Sequence, residues 1–271
     1  MSLELNFKNK VVLVTGVTSG IGAAIAAMFA RAGASVAGCG RHAEGSPESG
    51  QFISSVSSQY AKALYVQADV TKNDQLKKLV DKTIVQFKKR DVLVSNAGEN
   101  VFEGAADCTE ERWSYNAELN LSSHWRLAKI CKPWLERQNG VIILITSNHA
   151  YATIPGCFPY NVAKTALTGL VRSLSVEWGP AVRTVGIAPG FIETKASEAW
   201  FDSFPDAEAE RQRTINLHPV KRLGTPAEVG AWCVFLASDY AAFASGTTYL
   251  LDGGRSAVMQ DSRYVNYTRL L

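Results

Sequence analysis

Between Thr146 and Lys164, in the run TSNHAYATIPGCFPYNVAK, a hydroxyl, a phenol and an ammonium fall at spacings that let them converge. Tyr160 and Lys164 are four residues apart, so a helix beginning near Pro159 puts both on one face, a single turn from each other. An ammonium beside a phenol favours the phenolate and lowers a pKa that starts near ~10, which brings tyrosine proton exchange towards neutral pH. Ser147, which follows the apolar run Val141 to Thr146, is placed to hydrogen-bond the same reacting oxygen. Tyr-x-x-x-Lys with a snorkelling lysine also arises by accident in ordinary helices, so the chemistry depends on what surrounds the pair.

Buried strands and glycine-rich turns would have to deliver these groups. Lys10 to Thr15 is a continuous apolar run, the pattern of a strand covered on both faces of a parallel sheet. Gly16-Val17-Thr18-Ser19-Gly20-Ile21-Gly22 follows, and then a helical pattern through Ile25, Met28 and Phe29 to Gly33. Glycines at 16, 20 and 22 permit a tight turn, close approach of a pyrophosphate and close helix–sheet packing, while the helix start offers free amides to phosphate. Lying directly between a strand and a helix, the pattern indicates dinucleotide binding rather than a purely structural turn. A second strand, Ala34 to Gly40, ends where an acidic residue would bind the ribose hydroxyls of NAD; here Gly40 is followed by Arg41. An arginine there pairs with a 2′-phosphate, so NADP(H) is preferred and NAD(H) possible, the simpler alternative being a solvated side chain.

A loop running into a short helix occupies 44–58. The third strand, Ala63 to Ala68, brings Asp69-Val70 to an adenine ring; Asp69 accepts from its amino group or, equally well, caps a helix starting near Thr71 to Asp74. Asp91 to Ser95 is the fourth strand, and the small residues Asn96-Ala97-Gly98 at its end leave room for the cofactor ribose. From Thr109 one long helical pattern runs through Trp113, Leu119, Leu127 and Ile130 to about Leu135, with Asn120 inside it as an exposed residue or a local kink. After the fifth strand, Val141 to Thr146, the helix of Tyr160 continues to Trp178, and Arg183 to Ala188 is a strand broken by Pro189-Gly190. Residues 191–217, with Trp200, Phe201 and Phe204, read as a helical lid or substrate loop whose aromatics more simply anchor it to the core. A helix over Gly224 to Ala237, with Pro226 in its first turn, and a strand over Thr247 to Leu251 complete the pattern. The polar tail, 255–271, carries Tyr264 and Tyr267 and is expected to order only against another subunit or the lid.

The chain of 271 residues, 46% hydrophobic and 20% charged, can bury one large core. A formal charge of +3 from 28 basic and 25 acidic residues gives no case for nucleic acid or a membrane surface as partner. No apolar run approaches the roughly 20 residues of a membrane span, and the N-terminus lacks the order of a signal peptide, so a cytoplasmic protein is expected. Five scattered cysteines without a C-x-x-C pair or a histidine cluster suggest reduced structural thiols and no metal.

From Lys8 to Gly254 the ordered motifs resemble the short-chain dehydrogenase/reductase family: Thr15-Gly-x-x-x-Gly-Ile-Gly22, Asn96-Ala-Gly98, Asn120, Ser147, Tyr160-x-x-x-Lys164, Pro189-Gly190 and Asp252-Gly253-Gly254. The resemblance implies an α/β fold, a Rossmann-like doubly wound three-layer sandwich with a seven-stranded parallel sheet, as one dinucleotide-binding catalytic domain over 1–271. It implies a tetrad in which Tyr160 exchanges the proton, Ser147 binds the substrate oxygen, Lys164 lowers the tyrosine pKa and holds the nicotinamide ribose, and Asn120 holds a water linking Lys164 to solvent. Gly16, Thr18, Ser19, Gly20, Ile21, Gly22, Arg41, Asp69, Val70, Asn96, Ala97, Gly98, Pro189, Gly190, Ile192 and Thr194 would line the cofactor, with Tyr160 and Lys164. A homo-oligomer, dimer or tetramer, is implied as well. The chain departs from the family at Ser95 and Gly186, where asparagine is frequent, and at Gly40-Arg41. Glu99 after Asn-Ala-Gly and His149 after Ser147 resemble bacterial glucose dehydrogenases of the family and suit a polyhydroxylated small molecule, whose hydroxyls each need a partner. A sugar or polyol dehydrogenase is therefore expected, with a 3-oxoacyl-thioester reductase as second reading and a dinucleotide-binding regulatory module as third.

Overall fold

Apolar runs become strands wherever both faces must be covered: β1 (Val11–Thr15), β2 (Ser35–Gly40), β3 (Ala63–Gln67), β4 (Val92–Ser95), β5 (Val141–Ile145), β6 (Arg183–Pro189) and β7 (Thr248–Leu251). This computed structural model describes residues 5–58 and 61–259. The strands form one parallel, seven-stranded sheet in the order β3-β2-β1-β4-β5-β6-β7. Between them run α1 (Gly20–Arg31), α2 (Pro47–Val56), α3 (Asn73–Phe87), α4 (Glu110–Ala117), α5 (Ser123–Glu136), α6 (Tyr160–Trp178), α7 (Lys195–Phe201), α8 (Ala207–Asn216) and α9 (Pro226–Ala237). Alternate strand residues serve opposite layers: Val12, Val14 and Ile143 pack with α1, α2 and α9, and Leu13, Leu93 and Ile142 with α3, α5 and α6. Strand order reverses between β1 and β4, the point at which open sheets of this kind leave a crevice above their carboxyl ends.

Helix boundaries follow local chemistry. Thr109 accepts from the Arg112 amide to start α4, and Thr225 with Glu228 forms a capping box ahead of Pro226 at α9. In two places the sequence pattern misleads. The helix from Thr109 to Leu135 is interrupted: α4 and α5 are joined by a π-helical turn, Glu118–Ser122, that contains Asn120, so this residue is neither exposed nor in regular helix. Asp69 does not cap α3, whose N-terminal boundary is Lys72; its Oδ1 instead accepts from the Thr71 amide and hydroxyl in a local turn. Gly186 stands where the Thr248 side chain fills the space, since a Cβ there would lie 2.5 Å from Thr248 Oγ1. Residues 191–217 hold α7 and α8, and Phe201 is buried among Phe191 and Trp200. Past a short turn at Arg255–Ala257, Tyr264 and Tyr267 of the tail lie outside the described residues.

Candidate active site

The turn from β1 into α1 has the shape of an anion cradle. Gly16 and Gly20 have φ of 74° and 54°, conformations that a side chain strains. A Cβ on Gly22 would sit 2.1 Å from the Gly16 carbonyl oxygen, so α1 can approach the turn only as glycine. Ser19 makes no side-chain cap and no acidic residue stands in the first turn, which leaves the amides of α1 open to a phosphate. Thr15 Oγ1 receives the amides of Asn96 and Ala97 at 2.9 Å, and Asn96 Nδ2 donates to the Thr15 carbonyl, locking the ends of β1 and β4 together. Thr194 reaches the same cradle: a Cβ on Gly20 would be 3.4 Å from its methyl group. Pro189 and Gly190 close β6 and Ile192 is buried beside them. These residues fit a dinucleotide.

At the outer end of that groove a Cβ on Gly40 would crowd the side chains of Thr18, at 2.8 Å from Cγ2, and Tyr65, at 3.1 Å from Oη. Arg41 beside it is exposed, and the Tyr65 hydroxyl fixes the loop through the His42 carbonyl at 2.8 Å. Val70 is buried and Asp69 half-buried.

Above β4 and β5 lie Ser147, Tyr160, Lys164 and Asn120, all buried. Tyr160 opens α6, with its amide donating to the Val101 carbonyl at 3.3 Å. Lys164 Nζ lies 5.4 Å from the centre of the Tyr160 ring and donates to the Ile145 carbonyl at 3.2 Å. Burial pushes the Tyr160 phenol up to about 12 against the pull of the Ser147 hydroxyl, and pushes the Lys164 ammonium down to about 8. Desolvation therefore sets the direction of the phenol in this state, opposite to the lowering expected from the lysine. Lys164 nevertheless remains charged at neutral pH. Asn120 is fully engaged, donating to the carbonyl of Glu99 and to Asn116 Oδ1, both at 2.9 Å, and accepting from the Glu99 amide at 3.2 Å. Its side chain thus pins the loop after Gly98. A Cβ on Gly98 would lie 2.7 Å from Asn120 Oδ1 and 3.3 Å from Lys164 Nζ, so that loop, Asn120 and Lys164 share one small space.

The two substrate candidates part company. His149 comes against the centre, its ring 6.1 Å from that of Tyr160 and its Nδ1 3.2 Å from Thr153 Oγ1; burial lowers its pKa, so it is neutral at pH 7. The Glu99 carboxylate is exposed and accepts from the Tyr115 hydroxyl at 3.0 Å. Sequence reasoning missed Phe102, whose half-exposed ring stands edge-on to Tyr160 at 5.4 Å and beside His149 at 5.9 Å. It also missed Asn116 and His124, for which the signal was available: both lie four residues from Asn120, on either side. The centre as built offers a hydroxyl and a phenol to one oxygen, with an ammonium behind them, beside a groove for a dinucleotide.

A family model described as enoyl-(acyl carrier protein) reductase matches residues 16–256. An uncharacterized oxidoreductase of Thermotoga maritima is 33% identical over 94% of this chain and 100% of its own length. The 3-oxoacyl-(acyl-carrier-protein) reductase of Chlamydia muridarum is 32% identical over 91% of this chain and 97% of its own. The ligand-free structure of aldohexose dehydrogenase from Thermoplasma acidophilum is similar at a TM-score of 0.83 and 30% identity, covering 95% of this chain and 97% of that one.

Proposed function

The chain belongs to the short-chain dehydrogenase/reductase family, oxidoreductases that use NAD(H) or NADP(H), and on that premise we propose that it interconverts a secondary alcohol or sugar hemiacetal and a carbonyl, acting on a sugar or polyol. When bound, the nicotinamide supplies the site of hydride transfer at C4. Tyr160 takes the hydroxyl proton as the substrate carbon is oxidised and returns it in the reductive direction, while Ser147 donates a hydrogen bond to the same oxygen. Lys164 holds the ribose and favours the phenolate, and Asn120 fixes the loop of Gly98 and Glu99 around them. The cradle from Gly16 to Gly22 takes the pyrophosphate, Asp69 and Val70 the adenine, Asn96 to Gly98 the ribose, and Pro189, Gly190, Ile192 and Thr194 the nicotinamide end. NADP(H) is preferred, because Gly40 carries no carboxylate to repel a 2′-phosphate and exposed Arg41 can meet one.

One observation carries the substrate class: beside Tyr160, the ring of Phe102 adjoins the hydrogen-bonding His149. A polyol presents C–H faces and hydroxyls together and is matched by apolar area next to polar partners. Similarity to the aldohexose dehydrogenase supports the same reading. A 3-oxoacyl-thioester reductase is the second reading, favoured by the C. muridarum relative. A cytoplasmic homodimer or homotetramer, with 191–217 acting as the lid of a single domain, completes the proposal; no helix among the described residues is long and apolar enough to cross a membrane.

The test is initial-rate absorbance of the reduced nicotinamide, with NADP and NAD in turn against aldoses, polyols and short 3-oxoacyl esters. Sugar turnover that falls in Glu99→Gln and His149→Ala supports the polyol reading. Turnover of the oxoacyl esters alone replaces it with the second, and cofactor binding without turnover of any substrate leaves a regulatory module.

A further inference from the structure

Asn116 is the one buried residue of the eight in α4, at 2% exposure, so this helix turns an amide inward where an apolar side chain would ordinarily pack. A buried amide is tolerated when its donor and its acceptor are both used. Here Nδ2 donates to the Pro159 carbonyl at 3.0 Å, and Oδ1 accepts from Asn120 Nδ2 at 2.9 Å. One side chain therefore joins the residue before Tyr160 to the asparagine that holds Glu99.

The start of α6 needs such a hold. Its N-cap is Pro159, which makes no side-chain cap and has no amide hydrogen. The residues around it are fastened from outside the helix. The Phe158 carbonyl accepts the amides of Glu103 and Gly104 at 2.8 and 3.1 Å, and the Tyr160 amide donates to the Val101 carbonyl at 3.3 Å. Asn116 supplies the side-chain member of this set, on the carbonyl that also receives the amides of Val162 and Ala163. Tyr160 is the first residue of α6, so a tilt of this turn moves the phenol relative to Ser147 beyond β5. Lys164, one turn further on, is anchored separately through the Ile145 carbonyl.

We propose that Asn116 is a positioning residue for the Tyr160 phenol, seating the first turn of α6 against the loop that Asn120 holds. The inference rests on the proton-transfer role proposed for Tyr160, and kinetics with hydrogen exchange on the full-length protein test it. Asn116→Leu fills the space without donor or acceptor; it should lower kcat by about tenfold to a hundredfold while KM and coenzyme affinity stay near wild type. Asn116→Asp keeps an O–H donor and a carbonyl acceptor when protonated, and when ionised it loses the donor and turns a charge on the Pro159 carbonyl. Other charges nearby are already placed: Glu99 is bonded to Tyr115, Glu103 to Arg112 and Glu118 to Arg126, Glu110 and Glu111 are exposed, the Tyr160 phenol is neutral, and Lys164 shares the space of Gly98 with Asn120. The ratio of kcat in Asn116→Asp to wild type should thus stand near one at the acid end and fall about tenfold as pH rises through the new carboxyl's value, which burial raises. An unchanged kcat in Asn116→Leu overturns the proposal, and so does an Asn116→Asp variant as impaired as Asn116→Leu at every pH. If Asn116→Leu does not fold, Asn116→Asp alone decides, and a ratio without pH dependence overturns the proposal. Exchange at amides 160–163, read by mass spectrometry, needs no substrate and should quicken about fivefold in Asn116→Leu, the equivalent of one hydrogen bond. A protein that turns over none of the tested substrates sinks the oxidoreductase reading and leaves this exchange to decide the seating of α6, unchanged exchange overturning it.

Discussion

On the floor of the candidate site Tyr160, Lys164, Asn120 and His124 are between 0% and 8% exposed, whereas Arg41 and Glu99 at the rim face solvent. Charge therefore has different consequences in the two places. On the floor, burial is the largest cause that moves the phenol and the ammonium far from their ordinary values, so the protein has shifted proton equilibria before any substrate arrives. At the rim, charges stay hydrated and screened, and in the proposed function their part is selection among ligands. The floor is suited to the reaction common to all substrates and the rim to choosing between them.

The sharpest attempt to break this division is Tyr160→Phe. It should lower turnover by about a thousandfold or more while coenzyme affinity, measured by fluorescence titration, stays near wild type. A loss of less than tenfold would mean that the floor is not where the proton moves.

Next in size is the pH dependence of stability. Below about 8 both folded and unfolded chains hold the Lys164 proton, and the native state bears the cost of a buried ammonium. Between there and the ordinary lysine value the unfolded chain keeps a proton that the native state releases, so stability rises with pH. Urea denaturation at pH 7.5 and 10 should show wild type gaining up to about 3 kcal/mol relative to Lys164→Met. Parallel behaviour of the two proteins would remove the desolvation argument from the floor. The smallest effect belongs to the rim: Arg41→Asp should shift the ratio of NADP(H) to NAD(H) affinities about tenfold towards NAD(H), roughly 1.4 kcal/mol, with turnover at saturation little changed. An unmoved ratio would mean that this end of the groove does not read the phosphate.

How legible the two regions were in the sequence differs for the same physical reason. Strands such as Val11–Thr15, the glycines of the cradle and the four-residue step from Tyr160 to Lys164 are local patterns, and each became the expected element. The π-helical turn is not local in this sense, because one wide turn barely disturbs a 3.6-residue apolar period. Neither is the direction of the Tyr160 shift, which is set by burial among residues distant in the chain, Val101, Phe102 and His149 among them. Phe102 was hidden because nothing in its own neighbourhood marks it; only the chain folding back onto Pro159 brings it to the phenol.

The π-helical turn also makes the segment from Glu110 to Glu136 a keyed part. Deleting one residue there would mend the hydrogen-bond ladder into an unbroken α-helix, which local propensity accepts, yet it would rotate everything downstream by about 100°. His124 would leave the interior, and the apolar residues of α5 would turn from the sheet. In the turn around Asn120 a gain in helical regularity would be a loss of phase.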